Sequence, residues 1–152
     1  MKVVWERTLK EESAKSPSSL TSQAAIMLQI PAIAMEAGGE GRLDEPSVNI
    51  MYEAFVNVMK HLRMIAGKPS IPVNQLYAIR GHWLRAPCGG LVWQKVKLLE
   101  RVSEGQTIAV ITDLFGNERA TLVSPANGVV IGLRTLGVTN LGEYVANVSE
   151  VK

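Results

Sequence analysis

The chain has 152 residues, of which 47% are apolar and 20% charged, as in a globular protein of one ordinary or two small domains. The net charge of +2, without a run of like charges, argues against nucleic-acid binding. The single cysteine, Cys88, excludes an intrachain disulfide framework and a CxxC zinc site. No apolar run reaches the roughly 18 residues of a membrane span, and no signal-peptide core is present, so a cytoplasmic location is expected.

The first third of the sequence reads as helix, strand and helix. Residues 2–5 predict a short strand, and the polar residues 6–19 predict a loop. Apolar residues at helical spacing predict a helix over 20–28, which ends before Pro31. The short apolar run at 32–36 then predicts a buried strand.

A second helix is predicted after a glycine-rich turn. Asp44 can cap its first turn, where Pro46 is acceptable. Its apolar stripe has steps of three and four and comprises Val48, Met51, Phe55, Val58, Leu62 and Ile65. Gly67, Lys68 and Pro69 are expected to end the helix.

The character of the sequence changes at about residue 76, where short apolar runs alternate with Gly, Pro and Asn turns. An internal repeat is visible: residues 86–92 resemble 124–130 around Pro-x-x-Gly, and 105–111 resemble 142–148. Two such units should pack on each other and form a small closed β sandwich or barrel. The predicted domains are therefore 1–66 and 75–152, joined by a linker over 67–74. The fold class predicted is α+β.

Glu36 is the first candidate for chemistry. Alternation along the predicted strand places it on the same face as the small residues Ala32 and Ala34, which leave room for a ligand. Ligands bind beyond the carboxyl ends of strands in open α/β sheets, and the following glycines let the chain turn away from that space. The structural alternative is a Glu36 that pairs with Arg42 or faces solvent.

These residues carry a family resemblance. The segment PSSLTSQAAIMLQIPAIAMEAGGEGRLDEPSVNIMYEAFVNVMKHLRMI resembles the C-terminal part of the catalytic domain of the succinylglutamate desuccinylase/aspartoacylase family. RAPCGGL, VSEGQTIAVITDLFG and SPANGVVIG resemble that family's C-terminal β domain. The resemblance implies a partial α/β layer like that of zinc carboxypeptidases, followed by a β barrel-sandwich domain. It also implies a zinc-dependent hydrolase of N-acyl amino acid amide bonds, with Glu36 as its general base.

The resemblance leaves the zinc ligands unaccounted for. In the family a His-x-x-Glu pair and a later His hold the metal, and all of them precede the region that this sequence matches. The chain contains no His-x-x-Glu, and neither His61 nor His82 stands where the family places a ligand. Because a catalytic zinc usually needs three protein ligands, no metal ligand is assigned here, and the chain alone is expected to be inactive.

Other assignments stay open. Arg42 could bind a substrate carboxylate through its guanidinium, or it could pair with Glu40. The repeat also resembles biotinyl and lipoyl carrier domains, but the hairpin ITDLFGNERA between its halves contains no lysine to modify. A non-catalytic interaction or oligomerisation module with that β fold is therefore the alternative function.

The first third of the chain is predicted to contain too few strands for a stable sheet, so it is expected to associate with a partner. Unpaired strand edges and exposed apolar faces favour association. Self-association, or binding to a missing N-terminal half or subunit, is expected through residues 20–36 and the helix over 48–65. A small N-acyl amino acid is the expected substrate if the protein is active, and neither nucleic acid nor a membrane is expected.

Overall fold

The computed structural model describes residues 3–5, 20–73 and 75–152. Their contacts divide them into two compact units, one of residues 20–71 and one of residues 3–5 together with 72–152. The predicted loop over 6–19 lies outside the described residues. Within those residues, no helix is both long and apolar enough to cross a bilayer.

The first unit contains helix α1 (Leu20–Met27) and helix α2 (Glu45–His61), joined by an irregular segment. The strand predicted over 32–36 is wrong, because residues 28–44 adopt neither helix nor strand. A strand forms only where a neighbour completes its hydrogen bonds. The first predicted strand is present as β1 (Val3–Trp5), but it pairs with residues 76–78 within the second unit and offers no edge to residues 32–36.

Helix α2 is capped at both ends by its own sequence. The carboxylate of Asp44 accepts hydrogen bonds from the backbone N–H (2.9 Å) and the hydroxyl (2.8 Å) of Ser47, as predicted. At the other end, Arg63 N–H donates to Lys60 C=O and Met64 N–H to Met59 C=O. Arg63 has φ +59°. This is a Schellman motif, which ends the helix earlier than the predicted stop at Gly67.

The second unit consists of β1 and eight further strands. These are β2 (Leu76–Arg85), β3 (Gly90–Gln94), β4 (Arg101–Val102), β5 (Thr107–Thr112), β6 (Glu118–Val123), β7 (Gly128–Leu133), β8 (Val138–Thr139) and β9 (Tyr144–Val151). One sheet has the order β1-β2-β9-β7-β4 and the other β6-β5-β3-β8. All pairings are antiparallel except that of β1 with β2.

Each of the two sheets contains strands from both copies of the internal repeat. The first copy contains β2 to β5 and the second β6 to β9. Each sheet takes two adjacent strands from one copy, β5-β3 or β9-β7, and the strands on either side of them from the other copy. Neither copy could therefore form its sheet without the other.

The core lies between these sheets, in two clusters. One joins Ile108 of β5 to residues of the other sheet, among them Val130 and Val148. The second joins Ala109 and Ile111 to Val145. The fold class is α+β with mostly antiparallel sheets, as predicted, but neither sheet closes, so the predicted closed barrel is not formed.

Candidate active site

The segment that carries Glu36 is positioned by the N-terminus of α2. Gly38 has φ +83°, and a Cβ added to it would lie 3.2 Å from the Ser47 hydroxyl and 3.6 Å from Asp44 Oδ2. The glycine turn therefore lies close to the helix cap, where a left-handed backbone without a side chain is favoured. The Asp44 pKa is lowered chiefly by the hydrogen bond from the Ser47 backbone, so the capping carboxylate stays ionised at neutral pH.

Glu36 itself is exposed to solvent. It forms no hydrogen bond or ion pair with the residues that the structure describes. Of the two structural alternatives, the solvent-facing one is observed, since Arg42 does not pair with it. A carboxylate without a competing cation keeps its oxygens available to a water molecule or a substrate.

Arg42 pairs with Glu40 at 3.1 Å, and 73% of its side chain is exposed. A backbone hydrogen bond from Arg42 to Gly39 closes the turn between them. Glu40 and Gly41 both have positive φ, near +58° and +66°, so the chain reverses sharply here. The guanidinium therefore stands at the surface of the same turn that follows Glu36.

The described residues do not fit a zinc site. No group of three or more His, Cys, Asp or Glu side chains among them is arranged to hold a metal ion. The His82 Nε2 lies 3.0 Å from Glu150 Oε1, and Arg80 also approaches that carboxylate at 3.9 Å. His61 is the last residue of α2. The donor set that a catalytic zinc needs is therefore not supplied by this part of the chain.

The β5–β6 hairpin connects the two copies of the internal repeat. Asp113 organises the tip: one carboxylate oxygen accepts from the N–H groups of Phe115 and Asn117, and the other from the Asn117 amide. Leu114 and Phe115 are almost fully exposed there. The hairpin is ordered by hydrogen bonds, but its tip offers apolar side chains and no nucleophile.

A polar and aromatic cluster on the β2–β9 face was not predicted from the sequence. Trp83 and Tyr144 lie with ring centroids 4.6 Å apart, and the Arg85 guanidinium lies 3.8 Å from the Tyr144 ring centroid. Asn147, which pairs in register with Trp83, is 1% exposed, and neither its amide nitrogen nor its oxygen has a hydrogen-bond partner in the described structure. No local motif marks such a cluster, because strand pairing alone assembles it.

No family model matches the sequence, and neither does any curated protein. Solved structures do match. The apo structure of the ectoine utilization protein EutE (DoeB) from Ruegeria pomeroyi matches with a TM-score of 0.83 and 18% sequence identity. The match covers 98% of this chain and 47% of the EutE chain. A succinylglutamate desuccinylase from Silicibacter sp. TM1040 matches with a TM-score of 0.79 and 19% sequence identity. The match covers 99% of this chain and 45% of the desuccinylase chain.

A third structure, the succinylglutamate desuccinylase/aspartoacylase from Rhodobacter sphaeroides, has a TM-score of 0.66 and 26% identity. That match covers 77% of this chain and 39% of the other. The chain thus spans less than half the length of each of these structures. The resemblance predicted from the sequence is confirmed at the level of the fold, since these three similar structures are EutE and two proteins named as succinylglutamate desuccinylase or succinylglutamate desuccinylase/aspartoacylase.

Proposed function

We propose that this chain forms part of a zinc-dependent deacylase that hydrolyses N-acyl amino acids, and that it contributes the general base. The observation that carries the proposal is the agreement in fold with a succinylglutamate desuccinylase over 99% of the chain. Residues 20–71 would then supply two helices of a zinc-peptidase-like α/β layer whose sheet the described residues do not form. The acyl amino acids that the solved proteins are named for, N-succinylglutamate and N-acylaspartate, are the first substrates to test.

Glu36 would accept a proton from the water that attacks the amide carbonyl. Its exposure, and the absence of an ion-pair partner among the described residues, support this role. The close approach of Gly38 to the Asp44–Ser47 cap supports it further, because a base must be held at a fixed place. A positioned base contributes about 10²- to 10⁴-fold to a hydrolysis rate.

Arg42 would bind the carboxylate of the substrate. Its guanidinium matches a carboxylate in a bidentate geometry, and it already holds one, that of Glu40. Substrate would therefore compete with Glu40 for Arg42. We expect the Glu40→Gln variant to leave Arg42 in place and to release it from this competition.

The metal itself would depend on residues other than those described, so no step of the reaction is assigned to it. The activity of the whole assembly is thus inferred from the fold, whereas the role of Glu36 as general base is inferred from the family resemblance and agrees with its exposure. The alternative is a non-catalytic interaction module. The exposed apolar tip of the β5–β6 hairpin, which has no lysine at Asp113 to Asn117, favours that alternative over a carrier domain.

The test supplies the metal-binding part from a solved relative. The chain is mixed with zinc and with the part of the Silicibacter desuccinylase that lies outside the match, and amine release from N-succinylglutamate is followed. We expect Glu36→Gln to lower the rate by about 10²-fold or more, while Glu53→Gln, on exposed α2 surface, leaves it unchanged. Full activity in the Glu36→Gln mixture, or inactivity of every mixture although a complex forms, would contradict the proposal.

A further inference from the structure

The inference concerns the connection that leaves the end of α2. The Asn57 side chain binds both backbone groups of Ser70: its amide nitrogen donates to the Ser70 C=O at 2.6 Å, and its oxygen accepts from the Ser70 N–H at 2.8 Å. An asparagine amide has one donor and one acceptor group, so it can pair with a peptide unit as a neighbouring strand would. The pair of bonds therefore fixes both the place and the orientation of residue 70.

A second point of close approach lies one turn further along α2. Gly67 has φ +119°, and a Cβ added to it would lie 3.2 Å from Cε of Lys60. Lys60 and Asn57 are three residues apart, so they are neighbours on one face of the helix. The connection therefore runs back along this face, from Lys60 to Asn57. Pro69 has a restricted φ, which reduces the entropy lost when the segment is held there.

Beyond Ser70 the connection has no comparable support. Ile71 is 79% exposed and Val73 is 87% exposed, and neither forms a hydrogen bond with a described residue. The division of the chain into two compact units falls at the same place, since the first unit ends at Ile71. Residues 67–70 are therefore held by α2, whereas Ile71 and Val73 are not.

We propose that the Asn57 side chain is a latch, which holds residues 67–70 closed on α2 so that the flexible part of the connection begins at Ile71. The latch depends on the backbone of residue 70 and not on its hydroxyl, because both hydrogen bonds are made to backbone groups. Exposed hydrogen bonds contribute little net stability, so the latch can open while α2 stays folded. It does not depend on the proposed chemistry.

The latch sets the length of the tether between the two units. When it is closed, residues 71–75 separate Ser70 from β2, which begins at Leu76. Five extended residues span at most about 17 Å. When it is open, the backbone bond from Met64 to Met59 still ends the helix, and residues 65–75 span at most about 38 Å. Opening therefore about doubles the reach of the tether, and the effective concentration of one unit at the other depends on that reach.

Amide exchange of the purified full chain, followed by NMR, measures whether the latch is closed. The Ser70 amide should be protected relative to its intrinsic exchange, whereas the Ile71 and Val73 amides should not. We expect Asn57→Ala to lower the Ser70 protection factor by about 10-fold or more, because both hydrogen bonds are lost. Ser70→Ala should leave the protection of residue 70 unchanged, because the backbone groups remain.

Asn49→Ala is the matched control. Asn49 is an exposed asparagine of the same helix, so both changes introduce the better helix former, but only Asn57→Ala removes the latch. Backbone relaxation gives a second measurement. The order parameters of Lys68 and Ser70 should be about 0.85 in the unmodified chain and in Asn49→Ala, and should fall to about 0.6 or below in Asn57→Ala. Far-UV circular dichroism confirms that each variant is folded.

Three results would overturn the proposal. The first is a Ser70 amide that exchanges as freely as those of Ile71 and Val73 in the unmodified chain. The second is equal Ser70 protection in Asn57→Ala and in the unmodified chain. The third is an equal loss of protection in Asn49→Ala, which would show that the connection responds to the helix as a whole and not to Asn57.

Discussion

Two glycines of the internal repeat are predicted to be irreplaceable for the same reason. Gly90 and Gly128 occupy equivalent places in the two Pro-x-x-Gly motifs, and each begins a strand. A Cβ at Gly90 would lie 2.3 Å from the Thr112 carbonyl oxygen and 2.7 Å from Ile111 Cγ2. A Cβ at Gly128 would lie 2.4 Å from the Ser149 carbonyl oxygen. Both positions thus let one strand approach the backbone of another more closely than a side chain permits.

The magnitude follows from what has to move. Real Cβ atoms essentially never come within 3.0 Å of another atom, so relief requires one backbone to shift away from the other. Overpacking of this kind costs about 1 to 3 kcal/mol, and more where a backbone is displaced. Alanine has less conformational entropy than glycine in the unfolded chain, which offsets about 0.4 to 1 kcal/mol of this cost. We expect Gly90→Ala and Gly128→Ala each to lower the free energy of unfolding by about 2 kcal/mol or more.

Urea and thermal unfolding of the full chain, followed by circular dichroism and tryptophan fluorescence, measure this change. In a unit of 60 to 100 residues, 2 kcal/mol corresponds to a fall in Tm of about 8 to 16 °C. Gly137→Ala is the control, since nothing lies within 4 Å of its Cβ position, and it should leave Tm unchanged or raise it slightly. The same Tm for Gly128→Ala and Gly137→Ala would refute the close approach of β7 to β9.

Two further predictions concern the same unit. Asn147→Leu keeps the branched shape of the side chain and removes a buried amide that has no hydrogen-bond partner among the described residues. It should therefore raise the free energy of unfolding by about 1 to 3 kcal/mol. Destabilisation in urea titrations would show instead that the amide is hydrogen-bonded. The Asp113 pKa is held below its ordinary 3.8, first by the hydrogen bond from the Asn117 side chain. Its stabilisation of the hairpin is therefore complete above pH 3.8 and lost as the pH falls through the lowered pKa. The protection factors of the Phe115 and Asn117 amides, relative to intrinsic exchange at the same pH, should fall there, and in Asp113→Asn they should already be low at neutral pH. Equal protection in both proteins would contradict this role.

The sequence predicted best those features that depend on neighbouring residues. The Asp44 cap and the start of α2 follow from the hydrogen bonds of one turn, and the β character after residue 76 follows from short-range alternation. The stop of α2 was misplaced at Gly67, because Arg63 adopts the left-handed conformation that glycine usually supplies. The backbone bonds of Arg63 and Met64 fix that stop, and no residue type reveals them.

The sequence predicted poorly those features that depend on distant partners. Residues 32–36 have the composition of a strand, but a strand also needs a neighbour, and β1 pairs with β2 instead. The cluster of Trp83, Tyr144 and Arg85 likewise exists only because β2 and β9 are adjacent. Glu36 was singled out by its place before the glycines, and its exposure could not be read from that pattern. The family resemblance supplied its proposed role.

The proposed chemistry depends on how the first turn of α2 is held. The turn after Glu36 comes close to it, since a Cβ added to Gly38 would lie 3.2 Å from the Ser47 hydroxyl. The hydrogen bonds between Asp44 and Ser47 fix the start of α2 beside the segment that carries Glu36. The first unit has no fully buried side chain among its described residues to provide that rigidity, in contrast to the two core clusters of the β unit. A catalytic carboxylate must be held at a fixed position, so in the proposed deacylase this rigidity would have to come from the part of the fold that the described residues do not supply.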